Sequence, residues 1–149
     1  MYVASGSADR SVRMWSITDG NTVRVLVGHR GTVLAVSFSP CGKYLASAGE
    51  DRRVKVWDVA SSTTVHDYRG HNDVVHGLVW LSDALLASYS TDGSVRVWNT
   101  QQPSSSMAGA SPNASCTDDF ASYTVPAQWK PVSLAAGQRG SLVCIAASD

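Results

Sequence analysis

Apolar and polar residues alternate in short runs separated by turn residues, a period-2 pattern that predicts β-strands. "TVLAVSFS" is rich in β-branched and apolar residues, "SPCGK" supplies a turn, and "YLASAG" opens a second strand. "EDRR" turns the chain again, "VKVWDV" predicts a third strand, and "TVHDYRG" a short fourth. The next stretch repeats the order with "VVHGLVWL", "DALLASYS", "TDGS" and "VRVWNT", its first turn one residue shorter. No run of useful length carries the 3.6-residue helical period. Strands such as "SVRMWSI" are apolar on both faces, so the sheets are expected to be covered on both sides.

The pattern is periodic on a longer scale. Trp15, Trp57 and Trp98 are 42 and 41 residues apart, and Gly28-His29 returns 42 residues on as Gly70-His71. Asp9, Asp51 and Asp92 each lie six residues before a tryptophan; Ser5, Ser47 and Ser88 each lie four before the aspartate. A self-similar period of this length marks a repeat architecture.

Histidine, serine and aspartate are the parts of a nucleophilic triad, so His29, Ser47 and Asp51 raise a hydrolase reading. An enzyme needs one triad, whereas this set recurs as His29–Ser47–Asp51–Trp57 and His71–Ser88–Asp92–Trp98, with a first copy Ser5–Asp9–Trp15 that lacks its histidine. Recurrence once per unit points to a need of the unit, and no catalytic residue is assigned. Arg13, Lys55 and Arg96 each stand two before a tryptophan. Their expected role is an aliphatic stem over a neighbouring strand with the charge reaching water.

These residues resemble the WD-repeat family: Gly-His opens a unit, Trp-Asp closes it, and four strands fill about 40–45 residues. The closing aspartate is poorly kept, since "VWD" occurs once beside "MWS" and "VWN". The resemblance implies an all-β fold of β-propeller blades. Here it would be an incomplete arc of about three and a half four-stranded blades: the end of a first blade over 1–20, full repeats over 21–62 and 63–100, a mobile insert over 101–120, and an incomplete final blade over 121–149. It further implies that Asp51 accepts a bond from His29, that His29 contacts Ser47, and that Trp57 Nε1–H donates to Ser47. Closed propellers have about four to eight blades. The chain is therefore expected to be a fragment or a truncated gene model, with "PVSLAA" and "SLVCIAAS" as two strands awaiting partners.

In this family, partner contacts often use the residues three and five after the Gly-His histidine and the one before the aspartate. Here those are Thr32, Leu34 and Glu50, then Val74, His76 and Thr91, with Ala8 in the last role of the first partial unit. Within the family, the order of the units, "TDDF" (Thr117–Phe120) and the ending "KPVSLAAGQRGSLVCIAAS" are similar to the TBP-associated WD-repeat subunits of the transcription machinery. That implies a nuclear scaffold whose partners are other TBP-associated factors, including histone-fold subunits. The alternative is a scaffold of another complex, such as a ubiquitin-ligase substrate receptor or a trafficking or cytoskeletal adaptor, in the cytoplasm.

Composition narrows the rest. Lys+Arg and Asp+Glu are both 12, and a nucleic-acid binder usually shows a basic excess, so direct nucleic-acid binding is not expected. Cys41, Cys116 and Cys144 are scattered without metal-ligand spacing, and reduced thiols are expected, Cys144 as a small buried hydrophobe. The N-terminus "MYVASGSADR" has no basic start or apolar run of signal-peptide type, and no stretch approaches a membrane span. His66, His71 and His76 fall close together, yet no cysteine or paired carboxylate completes a metal set. No phosphate-binding glycine loop precedes a helix. No cofactor, metal or small-molecule substrate is expected. Residues 101–120, rich in Ser, Ala and Pro, read as a surface loop. The Asn113-Ala114-Ser115 sequon and Ser111-Pro112 within it are read as plain linker.

Overall fold

Valine, leucine, tyrosine and tryptophan alternate with small polar residues across short runs, and each run is a strand in the computed structural model, which describes residues 1–101, 121–124, 129–136 and 142–148. Thirteen strands are present among them. β1 (Tyr2–Gly6), β2 (Ser11–Ser16) and β3 (Thr22–Val27) form an antiparallel sheet in chain order. β4 (Val33–Phe38), β5 (Tyr44–Gly49), β6 (Arg53–Asp58) and β7 (Thr63–Arg69) form the second sheet. β8 (Val75–Trp80), β9 (Leu85–Ser90), β10 (Ser94–Asn99) and β11 (Ala121–Thr124) form the third. β12 (Trp129–Ala136) and β13 (Leu142–Ser148) pair antiparallel as a two-stranded sheet. The architecture is all-β, an incomplete arc of propeller blades.

Sheet and sequence period are offset by one strand. The repeat over 21–62 holds β3 to β6, while the second sheet holds β4 to β7. The strand that ends each sheet thus belongs by sequence to the following repeat, which ties consecutive blades together covalently. Likewise Ala121–Thr124, grouped by sequence with the final unit, pairs along β10 from Ser94↔Thr124 to Val97↔Ala121 and supplies the fourth strand of the third sheet. An antiparallel edge binds whichever segment returns alongside it. The insert proper, residues 102–120, lies outside the described residues, as do the sequon, Ser111-Pro112 and Cys116; so does the side chain of Cys144.

Middle strands are covered on both faces, as their runs of apolar residues require: four of six positions of β6 and five of six of β5 are buried. The cores lie between sheets. Val12, Met14, Leu26, Val33, Leu45 and Trp57 join the first sheet to the second. Ala46, Val54, Tyr68, Val75, Trp80, Leu86 and Trp98 join the second to the third. Polar bonds also cross these seams, from Val33 N–H to Ser7 O at 3.1 Å and from Trp80 Nε1–H to Ser37 O at 3.0 Å.

One backbone feature recurs with the repeat. The residue after each aspartate has a positive φ: Arg10 at 71°, Arg52 at 63° and Gly93 at 81°. Only the third unit uses glycine, which adopts this conformation without steric cost. A Cβ at Gly93 would meet nothing within 4 Å, so Gly93→Ala isolates the backbone term. It is expected to lower stability by about 1 kcal/mol in urea unfolding. A gain in stability would contradict this account of the turn.

Candidate functional site

The turn from β3 into β4 places His29 beneath the β5–β6 hairpin. Gly28 is needed because a Cβ there would sit 3.1 Å from the Trp57 ring, and Gly70 is held equally close to Trp98 and Arg96. His29 is buried, and so are Ser47 and Trp57. Trp57 Nε1–H donates to Ser47 Oγ at 2.7 Å, Ser47 Oγ lies 2.7 Å from His29 Nε2, and His29 Nδ1 lies 2.8 Å from Asp51 Oδ2. The carboxylate fixes Nδ1 as the protonated nitrogen, which leaves Nε2 to accept the Ser47 hydroxyl proton. Burial opposes ionisation of Asp51, but bonds from His29 and from the Arg30 N–H outweigh it and hold the carboxyl below its ordinary value.

Serine on histidine Nε2 and aspartate on Nδ1 is the geometry of a nucleophilic triad. Here the oxygen cannot meet a substrate: Ser47 has 0% exposure, and its acceptor side is taken by the tryptophan N–H. The chain of bonds satisfies buried polar groups and fixes one arrangement of strand and turn.

The third sheet varies the scheme. Trp98 Nε1–H donates to Ser88 Oγ at 2.8 Å, and Ser88 Oγ lies 2.7 Å from His71 Nε2. His71 Nδ1, however, meets Ser94 Oγ at 2.8 Å, while Asp92 Oδ2 stands 3.6 Å away. Ser94 Oγ passes the bond on to Asp92 Oδ1 at 2.6 Å. The residue two after the aspartate decides this. It is Arg53 in the second sheet and a hydroxyl in the third. The first sheet keeps Trp15 Nε1–H on Ser5 Oγ at 3.0 Å, and Asp9, without a histidine, accepts from Ser11 and Arg13.

Two of the three cations that stand two before a tryptophan depart from the expectation that their charge reaches water. Lys55 is buried at 6% exposure, and its Nζ pairs with Asp67 at 3.1 Å beside Arg53 at 2.6 Å. Arg96 is buried at 9%. Only Arg13 remains half-exposed, paired with Asp9. β3 carries Val25 where β7 carries Asp67, so β3 offers Arg13 no carboxylate to draw it inward.

Rim residues gather at the end of the sheets that holds His29 and His71. Glu50 Oε2 accepts the Thr32 N–H at 3.0 Å, the Glu50 N–H donates to Thr32 O at 3.0 Å, and Leu34 is 45% exposed beside them. The third sheet repeats the clasp differently. The Thr91 N–H donates to Val74 O at 3.0 Å, and His76 Nε2 lies 3.1 Å from Thr91 Oγ1. Ala8 is exposed in the corresponding turn of the first sheet. Arg52, absent from the sequence-derived set, reaches Asn72 O at 3.5 Å and bridges two blades along the rim. Its signal in the sequence was its place in the turn, one after the aspartate, where the next repeat has Gly93.

His66 lies elsewhere, on β7. Its Nε2 is 2.9 Å from Thr100 O and its ring stacks on Tyr68 at 5.1 Å. His71 sits within its buried bond chain and His76 on the rim, so the three histidines have separate surroundings. Burial lowers the His66 pKa below its ordinary 6.5, opposed by its bond to the Thr100 carbonyl. The unfolded chain therefore takes up a proton that the folded one resists. Stability is expected to fall as pH drops below about 6.5, by at most ~1.4 kcal/mol per pH unit. His66→Gln should flatten that limb of a urea-unfolding series; an unchanged slope would assign the loss to other groups.

Comparison with known proteins agrees with this geometry. The family model described as WD domain, G-beta repeat matches residues 1–16, 20–58 and 62–99. The chain is 51% identical over 43 residues to transcription initiation factor TFIID subunit 5 of Caenorhabditis elegans, covering 29% of this chain and 7% of that protein. It is 37% identical over 43 residues to the Lissencephaly-1 homolog of Heterostelium pallidum, covering 29% of this chain and 10% of that protein. Among solved structures, that of U3-55K aligns with a TM-score of 0.65 and 34% identity over 69% of this chain and 32% of the other. The matched stretch is thus a small part of each of these longer proteins.

Proposed function

This chain belongs to the WD40 repeat family, and we propose that it is a non-catalytic protein-interaction scaffold. The single observation behind this reading is the burial of the triad-like oxygen, at 0% exposure on Ser47, beneath a rim of exposed and half-buried side chains. The rigid frame holds the turns, and the turns present Thr32, Leu34, Glu50, Val74, His76, Thr91 and Ala8 to partners. Domain boundaries follow the repeat: the end of a blade over 1–20, repeats over 21–62 and 63–100, the insert over 101–120 and a final unit over 121–149.

The finer reading is a subunit of general transcription factor TFIID, working in the nucleus with other TBP-associated factors, histone-fold subunits among them. The 51% identity to the nematode TFIID subunit over 43 residues supports it. A second reading, a trafficking or cytoskeletal scaffold in the cytoplasm, is favoured by the 37% identity to a Lissencephaly-1 homolog over a stretch of the same length. Affinity purification of the natural protein with mass spectrometry separates them. TFIID predicts TBP and TBP-associated factors among the recovered proteins, and cytoskeletal proteins in their place would overturn it. Under either reading, Glu50→Arg with Thr91→Arg should weaken partner recovery while the β-fold, read by circular dichroism, is retained.

A further inference from the structure

The face opposite the rim holds a cavity of about 260 Å³ between the first and second sheets. The buried Met14 lines it together with Val23, Val59, Arg24 and Lys43. Arg24 donates to Ser62 Oγ at 3.0 Å, and Lys43 Nζ lies 5.1 Å from the Tyr44 ring centroid. Among the described residues neither cation forms an ion pair. The Tyr44 hydroxyl acts most strongly on Lys43 and the nearby Asp58 carboxylate less so; Asp58 itself accepts bonds from the Ser61 N–H at 2.8 Å and the Ser61 hydroxyl at 3.1 Å.

The same junction one repeat later differs in each of these features. His66 stands in the place of Arg24, and its ring is bonded to Thr100 O and stacked on Tyr68. Ala84 replaces Lys43, and Asp83, in place of Gly42, accepts the Cys41 N–H at 2.9 Å. Two cations without an ion pair therefore belong to the first junction alone of these two and are not a property of the repeat.

We propose that this cavity docks an extended acidic peptide of a partner protein, one apolar side chain entering over Met14 and flanking carboxylates meeting Arg24 and Lys43. The volume lies just below the ~300–1,000 Å³ of sites that enclose small molecules and suits one or two side chains of a longer segment. A guanidinium and an ammonium that lack ion-pair partners, beside an apolar pocket, complement carboxylates on both sides of an anchor residue. The site lies at the opposite end of the sheets from Glu50 and Thr91, so partners could occupy both ends together.

The test uses a fluorescein-labelled heptapeptide with leucine at its centre and aspartate or glutamate at every other position. Its control carries asparagine and glutamine in place of the acids. The 149-residue chain should bind the acidic probe saturably by fluorescence anisotropy, and the amide control at least about tenfold more weakly. Arg24→Glu with Lys43→Glu should weaken the acidic probe by a similar factor. Ala60→Trp, which fills the mouth and keeps both charges, should abolish binding. Both variants should melt as the parent does. Absence of saturable binding, equal binding of the amide control, or undiminished binding by either folded variant would overturn the proposal.

Discussion

Ser47→Ala is expected to lower the unfolding free energy by roughly 3 kcal/mol, with no change in the urea m-value. The Ser47 oxygen serves two buried groups at 2.7 Å, Trp57 Nε1–H and His29 Nε2, and alanine leaves both without a partner. Each buried group so orphaned costs about 1–3 kcal/mol, whereas the bond itself is worth about 1 kcal/mol net. The larger number applies because the site is fully buried, away from bulk solvent. A domain of this size is held by about 5–15 kcal/mol, so the loss is a large fraction of the whole. Urea unfolding followed by tryptophan fluorescence measures it directly. Ser88→Ala should cost a similar amount, because Ser88 is equally buried and equally bonded.

Trp98→Ala should cost more, about 4 kcal/mol. The ring has 0% exposure, stacks on Tyr68 at 5.1 Å and lies in the core between the second and third sheets. Removing a buried tryptophan takes away its transfer free energy and leaves a cavity, about 3–5 kcal/mol together. It also removes the donor to Ser88. Trp15→Ala offers the contrast within one chain. Trp15 is only half-buried, and its serine, Ser5, has no histidine to release. Its loss should be smaller, and an effect as large as that of Trp98→Ala would show that burial does not set the scale. Thermal denaturation of the two variants side by side gives the comparison.

Period and spacing carried much of this in one dimension. Strands, turns and the matched Ser, Asp and Trp positions are legible because each unit satisfies the same backbone and the same buried polar groups at the same offsets. What was not legible concerns choices between units or between neighbouring strands. Nothing in "SVRVWN" says that Ser94 will come between His71 and Asp92, since the choice depends on a hydroxyl reaching 2.8 Å from an imidazole. Lys55 read as a surface cation because its partner Asp67 lies on the adjacent strand, twelve positions away in sequence but directly opposite in register. The capture of Ala121–Thr124 by β10 depends on where a long insert returns. The cavity under Arg24 and Lys43 is a difference between two junctions, visible only once both are built.

The central claim is that His29, Ser47, Asp51 and Trp57 act as one buried bond chain that holds a blade together. A double-mutant cycle on His29→Ala and Ser47→Ala, measured by urea unfolding, tests it most directly. Bonded partners in a shared network should show a coupling energy of about 1–2 kcal/mol, the double variant losing less than the two single losses combined. Strictly additive losses, or a Ser47→Ala variant as stable as the parent, would contradict the claim.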